Sequence, residues 1–371
     1  MTGKERVLCA LNHQEADRVP LDIGGINNTA MHYLVEQELK KYLKLKDNGT
    51  CIKSRSQGAV IPDQSIVDYF SSDTCCIYIN EHPWIDNGDG TFTDMWNIQR
   101  KADPKGYYYH MCKSPLAEAE SVNDILDYKF PELTESMVAG MAETLEANKD
   151  KCCILEGLKE QMFGLPSWLR GVQNFYMDLL VEEKMVEALL ERMLDYFIRY
   201  IDFVMARVGD KIDIVKVSDD LGTQTSLLVS PEVYREKIKP YAAKLYAHIK
   251  DKYNKKLLMH SCGAIRPLLE DFIEMGIDAV NPVQFNAAGM ELAALKADFG
   301  DRLCFWGGGV DTQSVLNMGT PEDVRKQVKH NLEIMKKHGG YVFAQVHNIQ
   351  PGVPVENIVA MYETYRENAA Y

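Results

Sequence analysis

From about residue 150 onward, short apolar, β-rich runs alternate with longer segments whose apolar residues recur near every 3.6 positions. The runs Cys152–Leu155, Ile212–Val217, Lys256–His260, Ala279–Pro282, Leu303–Trp306 and Tyr341–Val346 have the length and composition of buried strands. Between and after them, Val181–Val208, Pro231–Tyr253, Ala264–Met275, Pro321–His338 and Val355–Asn368 carry helical periodicity. Ser230-Pro231 and Thr320-Pro321 each place a capping hydroxyl before a proline at the first helical position. Such alternation predicts parallel strands joined by right-handed helical crossovers. A closed barrel is preferred to an open doubly wound sheet, because no Gly-x-Gly-x-x-Gly opens the first unit and polar clusters follow several strands. The expectation is a (β/α)8 barrel.

The first half is less regular. Val19–Ile23 reads as an early strand after an N-terminal helix. Between Trp84 and Cys112, Asn87-Gly88-Asp89-Gly90 separates alternating segments and ends in Tyr107-Tyr108-Tyr109, which predicts an inserted β-hairpin over the barrel mouth or on its outside. No repeat, low-complexity tract or linker interrupts the chain, so residues 1–371 are expected to form one domain. At 371 residues it exceeds the roughly 250 of a bare barrel, which leaves room for an N-terminal helical extension and the insertion.

Charge narrows the partners. Lys and Arg number 41 against 54 Asp and Glu, a net −13, which disfavours nucleic acid and anionic membrane. Glu5, His13, Glu15 and Asp17 break any apolar run at the start, so neither a signal peptide nor a spanning helix is expected. Nine cysteines without a disulfide framework suit a reducing, cytoplasmic setting.

Three clusters sit where strands release their chains, which in a barrel is the catalytic rim. His260-Ser261-Cys262-Gly263 directly follows Lys256–His260, and imidazole with thiolate suits zinc. Gln345-Val346-His347 follows the last strand and offers His347 as a third ligand. Cys304, inside an apolar run and ahead of Gly307-Gly308-Gly309, competes for that role but reads more naturally as a buried strand residue. Lys216-Val217-Ser218-Asp219-Asp220 leads to Gln224, and Asp219 or Asp220 could transfer a proton, bind substrate or cap a loop. Asp22, after the first strand, has the same ambiguity. His82, His110 and Arg170 read as surface groups, and Gly307–Gly309 is as well explained by close backbone packing as by anion binding.

Arg18-Val19-Pro20, His260-Ser261-Cys262-Gly263 and Ile349-x-Pro351-x-x-Pro354-x-Glu356-Asn357 together resemble the uroporphyrinogen decarboxylase superfamily, and more closely its zinc-dependent branch that serves corrinoid proteins. The likeness runs from about residue 4 to residue 367. It implies an (α/β)8 barrel, a zinc held by His260, Cys262 and His347, and a cobalamin-carrying partner at the mouth. Thiol methyltransferases of that branch carry a cysteine where this chain has His347, which implies a stronger Lewis acid suited to an ether oxygen. The decarboxylases' Met-Arg-Gln-Ala-Gly-Arg segment is replaced by Leu21-Asp22-Ile23-Gly24-Gly25-Ile26-Asn27-Asn28, so the arginines that grip porphyrinogen carboxylates are missing. The activity implied is transfer of methyl from a small donor, an O-methyl aromatic ether, to corrinoid cobalt. Asp219 or Asp220 would serve the leaving oxygen, Asp22 and Gln224 would contact substrate, and Trp84, Trp96 and Tyr107–Tyr109 would exclude water. The alternatives are corrinoid-to-thiol transfer, porphyrinogen decarboxylation and a non-catalytic corrinoid-binding barrel. A homodimer is compatible with any of them.

Overall fold

The computed structural model describes every residue except 158 and 159. Seven parallel strands lie side by side in the spatial order Tyr341–Val342, Cys304–Trp306, Ala279–Asn281, Lys256–His260, Ile214–Ser218, Cys152–Glu156 and Thr74–Tyr78. The eighth position is taken by the segment through Leu21. Phe343 N–H donates to Pro20 O at 2.8 Å and Asp22 N–H to Phe343 O at 2.9 Å, while on the other edge Asp73 N–H donates to Leu21 O at 2.8 Å. The sheet is thereby closed into the expected α/β barrel. Val19–Ile23 does its work through single bridges rather than as a regular strand, with Pro20 lacking a donor.

Helix placement follows local chemistry. Ser230 accepts a hydrogen bond from Val233 N–H, and Thr320 forms a reciprocal capping box with Asp323, as the Ser-Pro and Thr-Pro pairs predict. The pattern predicted over Val181–Val208 is one helix, Glu183–Val208, preceded by a separate helix, Val172–Val181. The first helix, Gly3–Leu11, turns Val7, Ala10 and Leu11 into the N-terminal end of the barrel, where they meet Ile154, Ile214 and Leu258. That apolar plug leaves the opposite, C-terminal end open.

Two expectations need correction. The insertion is a four-stranded antiparallel meander, Ile85–Asp86, Thr91–Thr93, Gln99–Ala102 and Tyr109–Lys113, rather than one hairpin. Asp94 supplies the second turn by accepting from Trp96 and Ile98 N–H at 2.9 and 3.1 Å. Thr74–Tyr78 and the pair Cys51–Ser54 with Ala59–Ile61 were not anticipated. Each is only three to five residues long. No described helix is long and apolar enough to cross a membrane.

Candidate metal centre and active site

Strand register decides what faces the barrel axis. Ile154 pairs with Ile214, Leu258 with Lys216 and Ala279, and His260 with Ser218 and Asn281. Paired residues point the same way, so each inward row begins apolar and ends polar. Glu156, Lys216, Ser218, His260 and Asn281 form that polar upper layer, and all are buried.

His260 ends its strand with Nδ1 2.7 Å from Asn281 Oδ1. Asn281 Nδ2 is itself committed to Trp306 O at 3.0 Å, so its oxygen must face the ring and Nδ1 must carry the proton. The lone pair of Nε2 is left facing Cys262 Sγ at 3.5 Å. Gly263 allows the turn that brings the thiol back. Its φ is +89°, and a Cβ would lie 2.5 Å from the Gly222 carbonyl carbon, so only glycine fits. His347 arrives from the segment after the last strand, its ring centroid 6.3 Å from that of His260. One ligand atom each from His260, Cys262 and His347 lies within 4.8 Å of the others. Asn28 Nδ2 points at both imidazoles, 3.0 Å from His260 Nε2 and 3.4 Å from His347 Nε2, so a hydrogen-bond donor lies where two nitrogen lone pairs converge.

The electrostatics favour a cation. Burial lowers the pKa of His260 to about 4 and also lowers that of His347, keeping both imidazoles neutral as metal ligation requires. Burial, with Asp220 and Glu160 nearby, pushes the Cys262 thiol well up, a state that a bound cation would reverse. Asp220 Oδ1 accepts from Cys262 N–H at 2.9 Å and lies 3.6 Å from His260 Nε2. An N, S, N donor set with a carboxylate beside it suits zinc.

Above the centre lies a cavity of about 180 Å³ whose lining includes Trp84, Trp96, Trp168, Asn28, Asp220 and both histidines. Trp84 and Trp96 come from the inserted sheet and its approach, so the insertion does lean over the mouth. Tyr109 packs edge-on against Trp84 with centroids 5.3 Å apart, one layer behind the lining. The cavity's cations are engaged. Arg100 donates to Asp94 at 2.7 Å and Lys216 to Glu156 at 3.0 Å.

Other anticipated residues lie elsewhere. Asp219 does not line the cavity. Its carboxylate accepts from the Met162, Phe163 and Gly164 N–H groups, the closest at 2.8 Å, and so caps the helix Gly164–Arg170. Burial nevertheless raises its pKa to about 7. Asp22 is fully buried inside the barrel, accepting from Gly25 N–H, Thr74 Oγ1 and Trp306 Nε1 at 2.6, 2.6 and 2.7 Å. Gln224 holds Asn286 O and Gln284 on the rim, at 2.8 Å each. Asp219 and Asp22 share one cause, since their carboxylates satisfy buried donors that would otherwise be orphaned, whereas Gln224 is itself exposed and links two rim loops. Cys304 is buried in the lower barrel, and Arg170 is a buried ion-pair partner of Asp178 at 2.6 Å rather than a surface group. His110 is exposed and His82 half-buried, its Nε2 3.0 Å from Glu132 O. Gly307 and Gly308 serve close packing, since added Cβ atoms would meet Gln345 O and Val283.

Four contributors escaped the sequence reading: Asn28, Asn281, Trp168 and Glu160. Glu160 lines the cavity and accepts from Ser218 Oγ and Asp220 N–H, both at 2.8 Å. Burial, with Asp220 and Asp219 close by, raises its pKa to about 8 and keeps a proton on it at neutral pH. Asn281 had a usable signal, being a polar residue at the inward end of a strand.

The profile of the family described as Uroporphyrinogen decarboxylase (URO-D) matches residues 111–368. Uroporphyrinogen decarboxylases from Chlorobaculum tepidum and Pelodictyon phaeoclathratiforme are 25% and 23% identical over 192 residues, 51% of this chain and 51% of each of theirs. The chain thus spans about half the length of the curated relatives it matches. A solved methyltransferase from Methanosarcina mazei superposes with TM-score 0.67 at 17% identity, covering 99% of both chains, a likeness of fold. With more than half of its length matched, this chain belongs to the uroporphyrinogen decarboxylase family.

Proposed function

We propose that the protein is a zinc-dependent methyltransferase that moves a methyl group from an O-methyl aromatic ether to the cobalt of a corrinoid protein. The observation that carries the reading is the convergence of His260, Cys262 and His347, with ligand atoms within 4.8 Å of one another, at the base of a tryptophan-lined cavity. The Methanosarcina mazei protein of like fold is itself described as a methyltransferase.

Zinc held by these residues would supply Lewis acidity to the leaving oxygen. Trp84, Trp96 and Trp168 would sandwich a flat ring and keep water from it. The methyl carbon passes to cobalt(I), which supplies the bonding electron pair, and the C–O pair stays on oxygen as a phenolate. Asp220, 3.6 Å from His260 Nε2, would serve that leaving oxygen, and Glu160 next to it holds a proton. Porphyrinogen decarboxylation is disfavoured because Arg100 and Lys216 are already spent on Asp94 and Glu156, leaving no free clamp for a ring of carboxylates among the described residues that line the cavity.

The test is a metal assay combined with a cob(I)alamin methylation screen across ethers, amines and thiols. About one zinc per chain, with methylcobalamin formed from a methoxyarene only by zinc-loaded enzyme, is the expected result. A folded protein that never takes up zinc sinks the reading. Rapid demethylation of methylcobalamin by a thiol, with every ether inert, replaces it by corrinoid-to-thiol transfer.

A further inference from the structure

The separations around the metal centre are close to those a tetrahedral zinc imposes. Bonds of about 2.1 Å to nitrogen or oxygen and about 2.3 Å to sulfur set two light donors about 3.3 Å apart, and nitrogen about 3.5 Å from sulfur. His260 Nε2 and Cys262 Sγ lie 3.5 Å apart. Asn28 Nδ2 lies 3.0 Å from His260 Nε2 and 3.4 Å from His347 Nε2. The end of the Asn28 amide thus stands at a ligand's distance from both imidazoles, where a fourth donor belongs.

An amide nitrogen cannot fill that place, since it is a donor with no lone pair to offer and its protons would face a cation. Once both Nε2 lone pairs are on a metal, Nδ2 has no acceptor left there either. The amide's own oxygen suits the position. Asn28 Oδ1 is buried without a hydrogen-bond partner, whereas buried amide atoms are normally paired. Rotation about Cβ–Cγ exchanges the two atoms in place and exposes neither, because that terminal torsion is roughly two-fold. The backbone need not move. Asn28 sits in the turn Asn27–Thr29, pinned by Asn27 N–H donating to Glu156 at 3.0 Å and by Gln345 Nε2 donating to Thr29 O at 2.9 Å. Asp220 Oδ1 also comes within 3.6 Å of His260 Nε2, but it is committed to Cys262 N–H at 2.9 Å.

We infer that Asn28 is the fourth protein ligand of the resting centre, its Oδ1 taking the position that Nδ2 holds between the two imidazoles. The inference rests on the metal centre proposed above and adds a ligand to it. Catalytic zinc sites commonly keep three protein ligands and a water, whereas here the carboxamide keeps water off the metal. Being neutral, it adds no charge to that of the Cys262 thiolate, so the Lewis acidity of the centre is preserved. Asn28 also lines the tryptophan chamber. A donor oxygen entering there exchanges with Oδ1, one neutral ligand for another.

The test replaces zinc by cobalt(II), whose paramagnetic resonance spectrum at low temperature broadens in water enriched in the magnetic oxygen isotope only if the metal holds a water. Chelator competition gives the cobalt affinity. The unaltered protein should show no broadening, a reading that needs no variant. Asn28→Ala, folded by circular dichroism, should gain the broadening and bind cobalt about tenfold more weakly or worse, at least the loss that an outer partner of a ligand causes. Asp220→Asn should stay unbroadened. Broadening in the unaltered protein, or its absence in Asn28→Ala, overturns the inference, and broadening gained by Asp220→Asn transfers the fourth position to Asp220. Methyl transfer that persists alongside any of these leaves the proposed function standing. Asn28-dependent exclusion of water with every methyl donor inert leaves the ligand standing and removes the function, and a folded protein that takes up neither metal removes both.

Discussion

Replacing Asn281 by leucine tests whether the metal centre is organised from behind. Asn281 is fully buried, and it is the residue that makes His260 present Nε2 rather than Nδ1 to Cys262. Leucine removes the 2.7 Å acceptor at Nδ1 and the 3.0 Å bond to Trp306 O while nearly conserving volume. An outer partner of a ligating histidine is worth about 10–100-fold in metal affinity, or about 1.4–2.8 kcal/mol. The Trp306 carbonyl, left without its donor, costs the fold about 1–3 kcal/mol separately. Zinc affinity is measured by competition with a chromophoric chelator, and fold stability by thermal melting of the apo-protein, so the two losses are read independently. Asn281→Asp keeps an acceptor at Nδ1 and should hold zinc at least as tightly as the wild type. The reasoning is refuted if the leucine variant, folded by circular dichroism, binds zinc like the unaltered protein.

Three further outcomes follow from the same geometry. Between about pH 6 and 8, zinc affinity should rise about tenfold per unit, because the thiol of Cys262 still carries a proton to release while His260, with its pKa about 4, has none; a flat chelator-competition profile would remove Cys262 from the ligand set. Asp219→Ala should cost about 1–2 kcal/mol of thermal stability by uncapping Gly164–Arg170, whereas Asp220→Asn should lower methyl-transfer turnover with little change in melting temperature; the opposite pairing would return Asp219 to the chemistry. His347→Ala should strip zinc and Cys304→Ser should not, as metal analysis of the two purified variants will report.

How much of this was legible beforehand depends on the distance over which each feature is decided. Strand–helix alternation, the Ser230 and Thr320 caps and the His-x-Cys-Gly turn are local, since a few neighbouring residues carry all the necessary chemistry. Barrel closure then places the strand ends on one rim, which is why His260 and His347, far apart in the chain, could be paired before any coordinates. The direction in which a polar residue points once its strand has ended is not local. Asp22 and Asp219 sit at strand ends much as His260 does, yet Trp306 Nε1 claims the first and the N–H groups of residues 162–164 claim the second. Those partners lie 284 and 55–57 positions away in sequence. The proton held by Glu160 was likewise a tertiary decision, because it depends on Asp219 and Asp220 being brought beside a carboxylate buried away from water. The sequence by itself determined the barrel and the ligand types at its rim; packing decided which rim residues face the cavity and which hold the walls.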